Sequence, residues 1–177
     1  NRSLKQGADV DGFKDDQDVA RFTIKPYKLA TKVETFTISF ADLTPATAAV
    51  DMLWEQTGAK FKITSDVDGK VQAQIDEKVV KNASPTQQDL ATAAVYYYDN
   101  NKDLKQALTW MQKANATQPK FWNVNTEAKI RLKMKDYKGA IAAAEQSKKL
   151  ALESVPPNGE YVKMDEALIA EAKKGGK

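Results

Sequence analysis

The sequence predicts an α+β fold in which an N-terminal antiparallel β meander of about four strands is followed by a C-terminal array of about five helices, paired as hairpins. Before residue 76, apolar side chains recur at every second position, which is the period of a strand with one buried face. After residue 84, helix start and stop signals follow one another at short intervals. We therefore expect a β-rich part over residues 1–75 and a helical part over residues 84–174.

The β-rich part is predicted to begin with a loop or a frayed end over residues 1–18, which are polar, acidic and without periodicity. Alternation then places four strands at about residues 22–24, 35–40, 50–54 and 60–63. Asp, Pro and Gly place turns at about residues 42–45, 57–58 and 66–69. A short segment, residues 71–75, leads into the helices.

The helical part is predicted to begin at Ser84, because a serine can cap the helix and the following Pro85 suits its first turn. Asp103 and Asp136 are expected to cap later helices, and Pro119 ends the helix between them. The five expected helices lie at about residues 84–101, 103–118, 122–135, 136–155 and 161–173.

The helical part also contains an internal repeat. Residues 102–108 align with residues 135–141 at an offset of 33, close to the period of about 34 residues that tetratricopeptide repeats show. Both copies carry a small residue at the same place, Ala107 and Ala140. We expect these alanines where two helices cross, because a larger side chain would force the helices apart. The pattern predicts a tetratricopeptide-like array.

The composition restricts the chemistry of the chain. Its 177 residues include no Cys and no His, and the net charge is +3. Without Cys there is no disulfide and no thiolate nucleophile, and without His the usual general base near neutral pH is missing. The basic residues form no concentrated face of the kind that binds nucleic acid, and the longest aliphatic run, residues 140–144, is too short to cross a membrane. We expect no catalysis, cofactor, metal, nucleic-acid partner or membrane span.

A resemblance to the bacterial domain of unknown function family 2911 is carried by VETFTISFADLT at residues 33–44, LWE at 53–55 and VQAQI at 71–75. The helical stretches at residues 103–110 and 136–141 look like the tail of many members, so the resemblance covers about residues 18–172. It implies an exported protein, periplasmic or surface-associated, and no activity. Members usually begin with an export signal and a further β-rich segment. We therefore expect such a segment, or a second copy of the chain, to cover the strands.

Two acidic motifs, residues 66–69 and 9–12, place alternate Asp residues before a Gly, as calcium loops do. In the first motif Lys70 puts an ammonium group where the fifth position should supply an oxygen, so we favour polar turns over ion sites. A further acidic cluster lies in a stretch without periodicity and is interpreted as a solvated loop rather than an acid–base pair; it consists of Asp15, Asp16 and Asp18.

A basic run follows in the helical part, at Lys129, Arg131, Lys133, Lys135 and Lys138. A spacing of two residues turns neighbouring side chains by about 200° on a helix. We therefore expect these charges to wrap round the helix as a solvated surface, rather than to form a phosphate or lipid site.

The helical part is also rich in aromatic residues. Three consecutive helical residues span about 200° of arc, so Tyr96, Tyr97 and Tyr98 cannot all face the core. We expect Tyr98 and one neighbour to be buried and the other to be partly exposed. The predicted partner-binding surface consists of Tyr96, Tyr97 and Trp122, because exposed aromatic faces combine a large contact area with polar tips.

These observations favour a non-enzymatic interaction or scaffold protein that binds a peptide or protein partner through its helical repeat surface. One alternative is a carboxylate-based, glycoside-processing exported protein, which would need a pair of acids in a cleft. Its candidates are Glu34, Asp42, Asp51 and Glu55, although their spacing singles out no pair. Another alternative is carbohydrate binding through Trp54 of the β-rich part.

Overall fold

A computed structural model of the chain describes residues 20–176. The chain divides into two compact units, one that ends at Val67 and one that starts at Asp68. The loop predicted over residues 1–18 lies outside the described residues, as do the acidic motif at residues 9–12 and the cluster of Asp15, Asp16 and Asp18.

The described residues form two antiparallel strands followed by six helices, which confirms the α+β class and corrects the expected numbers of strands and helices. Helix α1 continues into a π-helical turn, Asp76–Val80. The elements are β1 (Tyr27–Ala41), β2 (Thr47–Thr64), α1 (Val67–Ile75), α2 (Gln87–Asp99), α3 (Leu104–Asn115), α4 (Phe121–Lys133), α5 (Tyr137–Glu153) and α6 (Gly159–Gly175).

The two strands form one long hairpin. Ile38 of β1 pairs with Met52 of β2, and the pairing shifts irregularly between Lys28 and Thr37. The turn predicted at residues 42–45 is present, and the hydroxyl of Thr44 accepts a hydrogen bond from the Thr47 amide at 3.0 Å.

The prediction of four strands was wrong because residues 57–58 do not form a turn. Gly58 lies inside β2, opposite Tyr27, and a β-carbon on Gly58 would overlap the Tyr27 ring. This glycine therefore permits a close approach across the sheet, which is a common reason for a glycine inside a strand. The Tyr27 hydroxyl donates a hydrogen bond to the Asp51 carboxylate at 2.6 Å. Residues 22–24, also predicted as a strand, precede β1 without regular structure.

One face of the hairpin is apolar and open in the described part of the chain. Phe36, Ile38, Phe40 and Trp54 each have more than half of their surface exposed. An isolated two-stranded sheet buries too little apolar surface to be stable in water. The expectation that a further β segment or a second copy covers these strands stays a prediction.

The helix that the sequence did not predict is α1. The sequence predicted a turn at residues 66–69 and a short connecting segment in its place. Val71, Ile75 and Val79 recur every four residues, and the last two are buried. Residues spaced by four share one face of a helix. This face is therefore packed in the core, while the rest of the helix faces solvent. Asp68 lies in the first turn of α1, where its charge complements the helix dipole.

The helix caps agree with the sequence at two of three starts. The Asp103 carboxylate accepts a hydrogen bond from the Lys105 amide at 2.8 Å, and that of Asp136 accepts one from the Gly139 amide at 3.0 Å. The first cap is Thr86 rather than Ser84, because the Thr86 side chain is the one that accepts from the third amide of α2. Each such cap satisfies an amide that has no partner within the helix.

The helices pack as antiparallel neighbours, with α2 against α3, α3 against α4, α4 against α5 and α5 against α6. Ala107 and Ala140 have 0% and 1% of their surface exposed, so both predicted packing positions are buried. The identity of the array as a tetratricopeptide repeat stays a prediction. No helix among residues 20–176 is long and apolar enough to span a bilayer.

Candidate functional site

An open groove of about 550 Å³ runs along the helical unit and takes its lining from three alternate helices, α2, α4 and α6. The turn after α4 and the first residue of α5 complete it. We name it the repeat groove, defined by Tyr98, Lys129, Leu132, Lys133, Lys135, Tyr137, Leu168, Glu171 and Gly175.

Helix α4 forms the middle of the repeat groove. It contributes Lys129, Leu132 and Lys133, whose spacing of three and four residues places them on one helical face. The Lys133 ammonium donates to the Tyr98 carbonyl at 3.0 Å and to the Asn101 side-chain oxygen at 2.6 Å. It also lies 4.6 Å from the centre of the Tyr98 ring. These contacts hold α4 against the C-terminal end of α2, where a positive charge is favourable.

The repeat groove carries a positive charge. Three of its lining residues are lysines and one is a glutamate, so its formal charge is three minus one, or +2. None of Lys129, Lys133 and Lys135 forms an ion pair with a carboxylate among residues 20–176. By contrast, Arg131 of the same helix binds Glu127 and Asp136.

The prediction that the basic run wraps round the helix was therefore wrong for three of its members. Lys129, Lys133 and Lys135 converge on one groove, while Arg131 pairs with carboxylates outside the groove lining. The available signal was the interval of four residues between Lys129 and Lys133, which places two ammonium groups on the same face. The contribution of Lys135 depends on the turn after α4 and is not visible in a helical spacing.

Two tyrosines and two leucines supply the remaining surface of the repeat groove. Burial, together with the charges of Asp99 and Glu171, raises the pKa of the Tyr98 phenol above its usual value. This phenol is therefore protonated at neutral pH and can donate a hydrogen bond. Leu132 and Leu168 are half-buried, so they offer apolar contact area beside the ammonium groups.

The predicted surface residues Tyr96 and Tyr97 lie elsewhere on α2. The Tyr96 hydroxyl donates to the Asp68 carboxylate, and the Gln72 side-chain amide donates to the Tyr97 hydroxyl at 3.0 Å. The Tyr97 ring contacts the Trp110 ring edge-to-face at 4.8 Å. All three consecutive tyrosines are half-buried, which corrects the expected division into two buried residues and one exposed.

Trp122, the third predicted residue, is 45% exposed at the start of α4. Its ring contacts Phe121 edge-to-face at 4.8 Å, and Phe121 makes the same kind of contact with Tyr161 of α6. Tyr96 and Tyr97 contact α1 and α3 instead, and none of the three predicted residues lines the repeat groove.

A smaller groove of about 430 Å³ lies between α1 and α2 and includes Tyr96. Its apolar lining is Val71, Ile75, Val79 and Ala93. Ile75, Val79 and Ala93 are buried and belong to one core cluster. This groove is therefore mainly a seam in the packing of α1 on α2.

The chain was compared with protein-family models, curated proteins and solved structures. Residues 1–63 match the model of the family described as "Protein of unknown function (DUF2911)". This N-terminal part of the chain is similar to that family. The match confirms the resemblance seen at residues 33–44 and 53–55 and ends before the helices begin. No curated protein and no solved structure matches the chain.

The DUF2911 part holds the acidic residues that sequence analysis considered for catalysis. Asp42 and Asp51 both bind the Lys60 ammonium, at 3.2 and 3.5 Å. The hydrogen bond to Asp42 is the main cause that raises the pKa of Lys60, so the lysine stays charged between the two carboxylates. This arrangement neutralises an acid pair rather than leaving one member free to transfer a proton.

In the calcium-like motif at residues 66–69, which follows the DUF2911 part, the Asp68 carboxylate is bound by side chains rather than free for an ion. Lys102 lies 2.8 Å from the Asp68 carboxylate, and hydrogen bonds from Lys102 and Tyr96 lower the pKa of Asp68. Among residues 20–176, no three acidic side chains come close enough together to hold a metal ion. The motif is thus the start of α1 rather than the polar turn that we predicted.

Proposed function

We propose that this protein is a non-enzymatic scaffold that binds a peptide or protein partner through the repeat groove. The observation that carries the proposal is that three alternate helices, α2, α4 and α6, line one open groove with apolar, phenolic and charged groups together. Stacked helical hairpins present such concave surfaces to extended segments of other proteins.

The packing beneath the groove supports this function. The α2–α3 and α4–α5 pairs meet through buried small residues, among them Ala107 and Ala140. Close packing of this kind keeps the lining side chains in fixed positions, and a pre-organised surface loses less conformational entropy on binding. Tyr96, Tyr97 and Trp122 stay candidates for secondary contacts with the same partner.

We further propose that the protein is exported and is periplasmic or surface-associated. The support for this location is the DUF2911 part, because the family resemblance implies export. An exported scaffold would meet its partner outside the cytoplasm, so its recognition elements should tolerate an oxidising compartment. A chain without Cys satisfies that requirement.

A second candidate function is carbohydrate binding by the hairpin. Trp54 is 59% exposed on the apolar face, and an open indole ring gives a flat surface with a polar edge. A glycan panel tested against the intact chain and its Trp54→Ala variant separates the two candidates. Loss of glycan binding in that variant would favour the hairpin over the repeat groove.

The proposed function is tested by selecting random displayed peptides on the intact chain. We expect enriched peptides whose affinity falls at least about tenfold, or 1.4 kcal/mol, in Leu132→Ala. This side chain lines the repeat groove but belongs to neither core cluster, so the fold should be retained. The matched control is Leu152→Ala on α5, which removes a leucine that is 53% exposed and outside the groove.

Selected peptides that bind Leu132→Ala as tightly as the parent chain would overturn the assignment to the repeat groove. Failure to enrich any peptide over an unrelated helical protein would do the same. Circular dichroism and thermal unfolding of each variant establish that a loss of affinity reflects the surface and not the fold.

A further inference from the structure

We propose that the repeat groove is built for an acidic segment of a partner protein, with carboxylate side chains beside apolar ones. This inference rests on the proposed function and specifies the chemistry of the partner. Its first support is charge, because three ammonium groups and one carboxylate line the same groove. Charges of one sign that line a cleft with apolar walls concentrate their field on a ligand of opposite sign.

The second support is a contrast with three other half-buried cations of the helical unit. Lys102, Arg131 and Lys148 each have a carboxylate partner within 2.9 Å. Lys129 is half-buried on α4, yet it has no such partner among residues 20–176. A charge withdrawn from water is costly unless a counter-charge compensates it. For three of the four other half-buried cations described in this unit, all but Lys120, the chain supplies that counter-charge itself, so an anionic ligand would complete the same pattern in the repeat groove.

Lys129 forms no ion pair with Asp165, the buried carboxyl group on which its charge acts. Asp165 of α6 is fully buried, and burial raises its pKa while the charges of Lys129 and Lys148 oppose that rise. Lys133 is held in place by Tyr98 and Asn101, and Lys135 is exposed at the rim. The groove thus offers a ligand one half-buried ammonium group, one that is held by hydrogen bonds and one that is exposed.

The apolar part of the lining favours a peptide over a phosphate backbone. The lysines alone do not discriminate, because a lysine binds carboxylates and phosphates alike as a compact point charge. The arginine of this helix, Arg131, is already bound to Glu127 and Asp136. Leu132 and Leu168 add apolar surface that suits the side chains of a peptide and has no counterpart on a phosphate backbone.

The test measures fluorescence anisotropy of a labelled peptide in which Glu and Leu alternate, added to the intact chain. One variant combines Lys129→Gln with Lys135→Gln. Its matched control combines Lys138→Gln with Lys163→Gln, which removes the same charge from exposed positions outside the repeat groove. We expect at least about a tenfold loss of affinity in the first variant and less than about a twofold loss in the control. Affinity should also fall as salt is added.

Further peptides and a polyanion supply the opposing outcomes. A peptide with Gln in place of Glu that binds equally well would overturn the acidic partner and leave the proposed function standing. Equal losses in both double variants would show a general charge effect and overturn the site. Tighter binding of a thymidine oligonucleotide, lost in the groove variant alone, would replace the peptide by a nucleic acid. Absence of binding to the acidic peptide would also reject the inference, and the peptide selection described above then judges the proposed function separately.

Discussion

Replacing Ile130 by Ala is expected to lower the free energy of unfolding by about 2–5 kcal/mol. Ile130 is fully buried, although it belongs to α4. It lies in the core cluster formed by residues of α2 and α3, and so it joins the two helical hairpins. Removal of its side chain would leave a cavity at that junction, and close-packed neighbours fill such a cavity only in part.

Urea unfolding followed by tryptophan fluorescence measures this change. The graded control Ile130→Val should cost about 0.5–1.5 kcal/mol, because it removes a single methyl group. The exposed control Leu152→Ala should stay within about 0.5 kcal/mol of the parent chain. If Ile130→Ala were no more destabilising than Leu152→Ala, the two hairpins would not share a core.

Replacing Asp165 by Ala is expected to cost about 1–3 kcal/mol, because a buried donor would lose its acceptor. Asp165 of α6 is fully buried and accepts a hydrogen bond from the Asn125 side-chain amide of α4 at 2.7 Å. Its other carboxyl oxygen has no partner among the described residues. Asp165→Asn keeps an acceptor for Asn125 and cannot ionise, so it separates the hydrogen bond from the charge.

The difference in stability between Asp165→Asn and the parent chain should depend on pH. Burial raises the pKa of Asp165 in the folded chain above its usual value, so the folded state holds this proton more tightly than the unfolded state does. The resulting stabilisation is complete below the unfolded pKa of about 3.9 and is lost as the pH rises through the folded pKa. Asp165→Asn should therefore gain stability relative to the parent chain with rising pH and then level off. Urea midpoints measured across this range should show that trend, and a difference independent of pH would mean that Asp165 titrates normally.

Local signals predicted the helical half well, because caps and small residues act over a few positions. Asp103 and Asp136 cap the helices as their sequence context indicates, and Ala107 and Ala140 are buried as the repeat predicts. The first cap was misplaced by two residues because Ser84 and Thr86 are both competent caps. The structure selects Thr86, whose side chain reaches the Asp89 amide.

The β-rich half was harder to predict because glycine has two roles there. A Thr-Gly pair between alternating runs is a good hairpin signal. Gly58 has another role here, because the Tyr27 ring across the sheet leaves no room for a β-carbon. That requirement depends on a residue 31 positions away in the chain (58 minus 27). Helix α1 was missed for a different reason, since Val71 and Ile75 satisfy both a period of two and a spacing of four.

The repeat groove does not contain the residues that the sequence indicated for a partner surface. The sequence indicated a partner surface on the predicted helical repeats, formed by Tyr96, Tyr97 and Trp122. That prediction rested on aromatic side chains, whereas the repeat groove is formed by residues of three helices that are far apart in sequence. Only the arrangement of α2, α4 and α6 brings Tyr98, Leu132 and Leu168 together.

The central claim is that helices paired through buried alanines create the repeat groove. Because the chain has no Cys, single variants Ala107→Cys and Ala140→Cys can report burial through their reaction rate with a thiol reagent. Ala142→Cys, at an exposed position of α5, is the matched control, and rates in denaturant correct for intrinsic reactivity. Protection by the fold should slow the two buried thiols by at least about a hundredfold relative to this control. Equal rates at all three positions would contradict the paired helices and the groove they form.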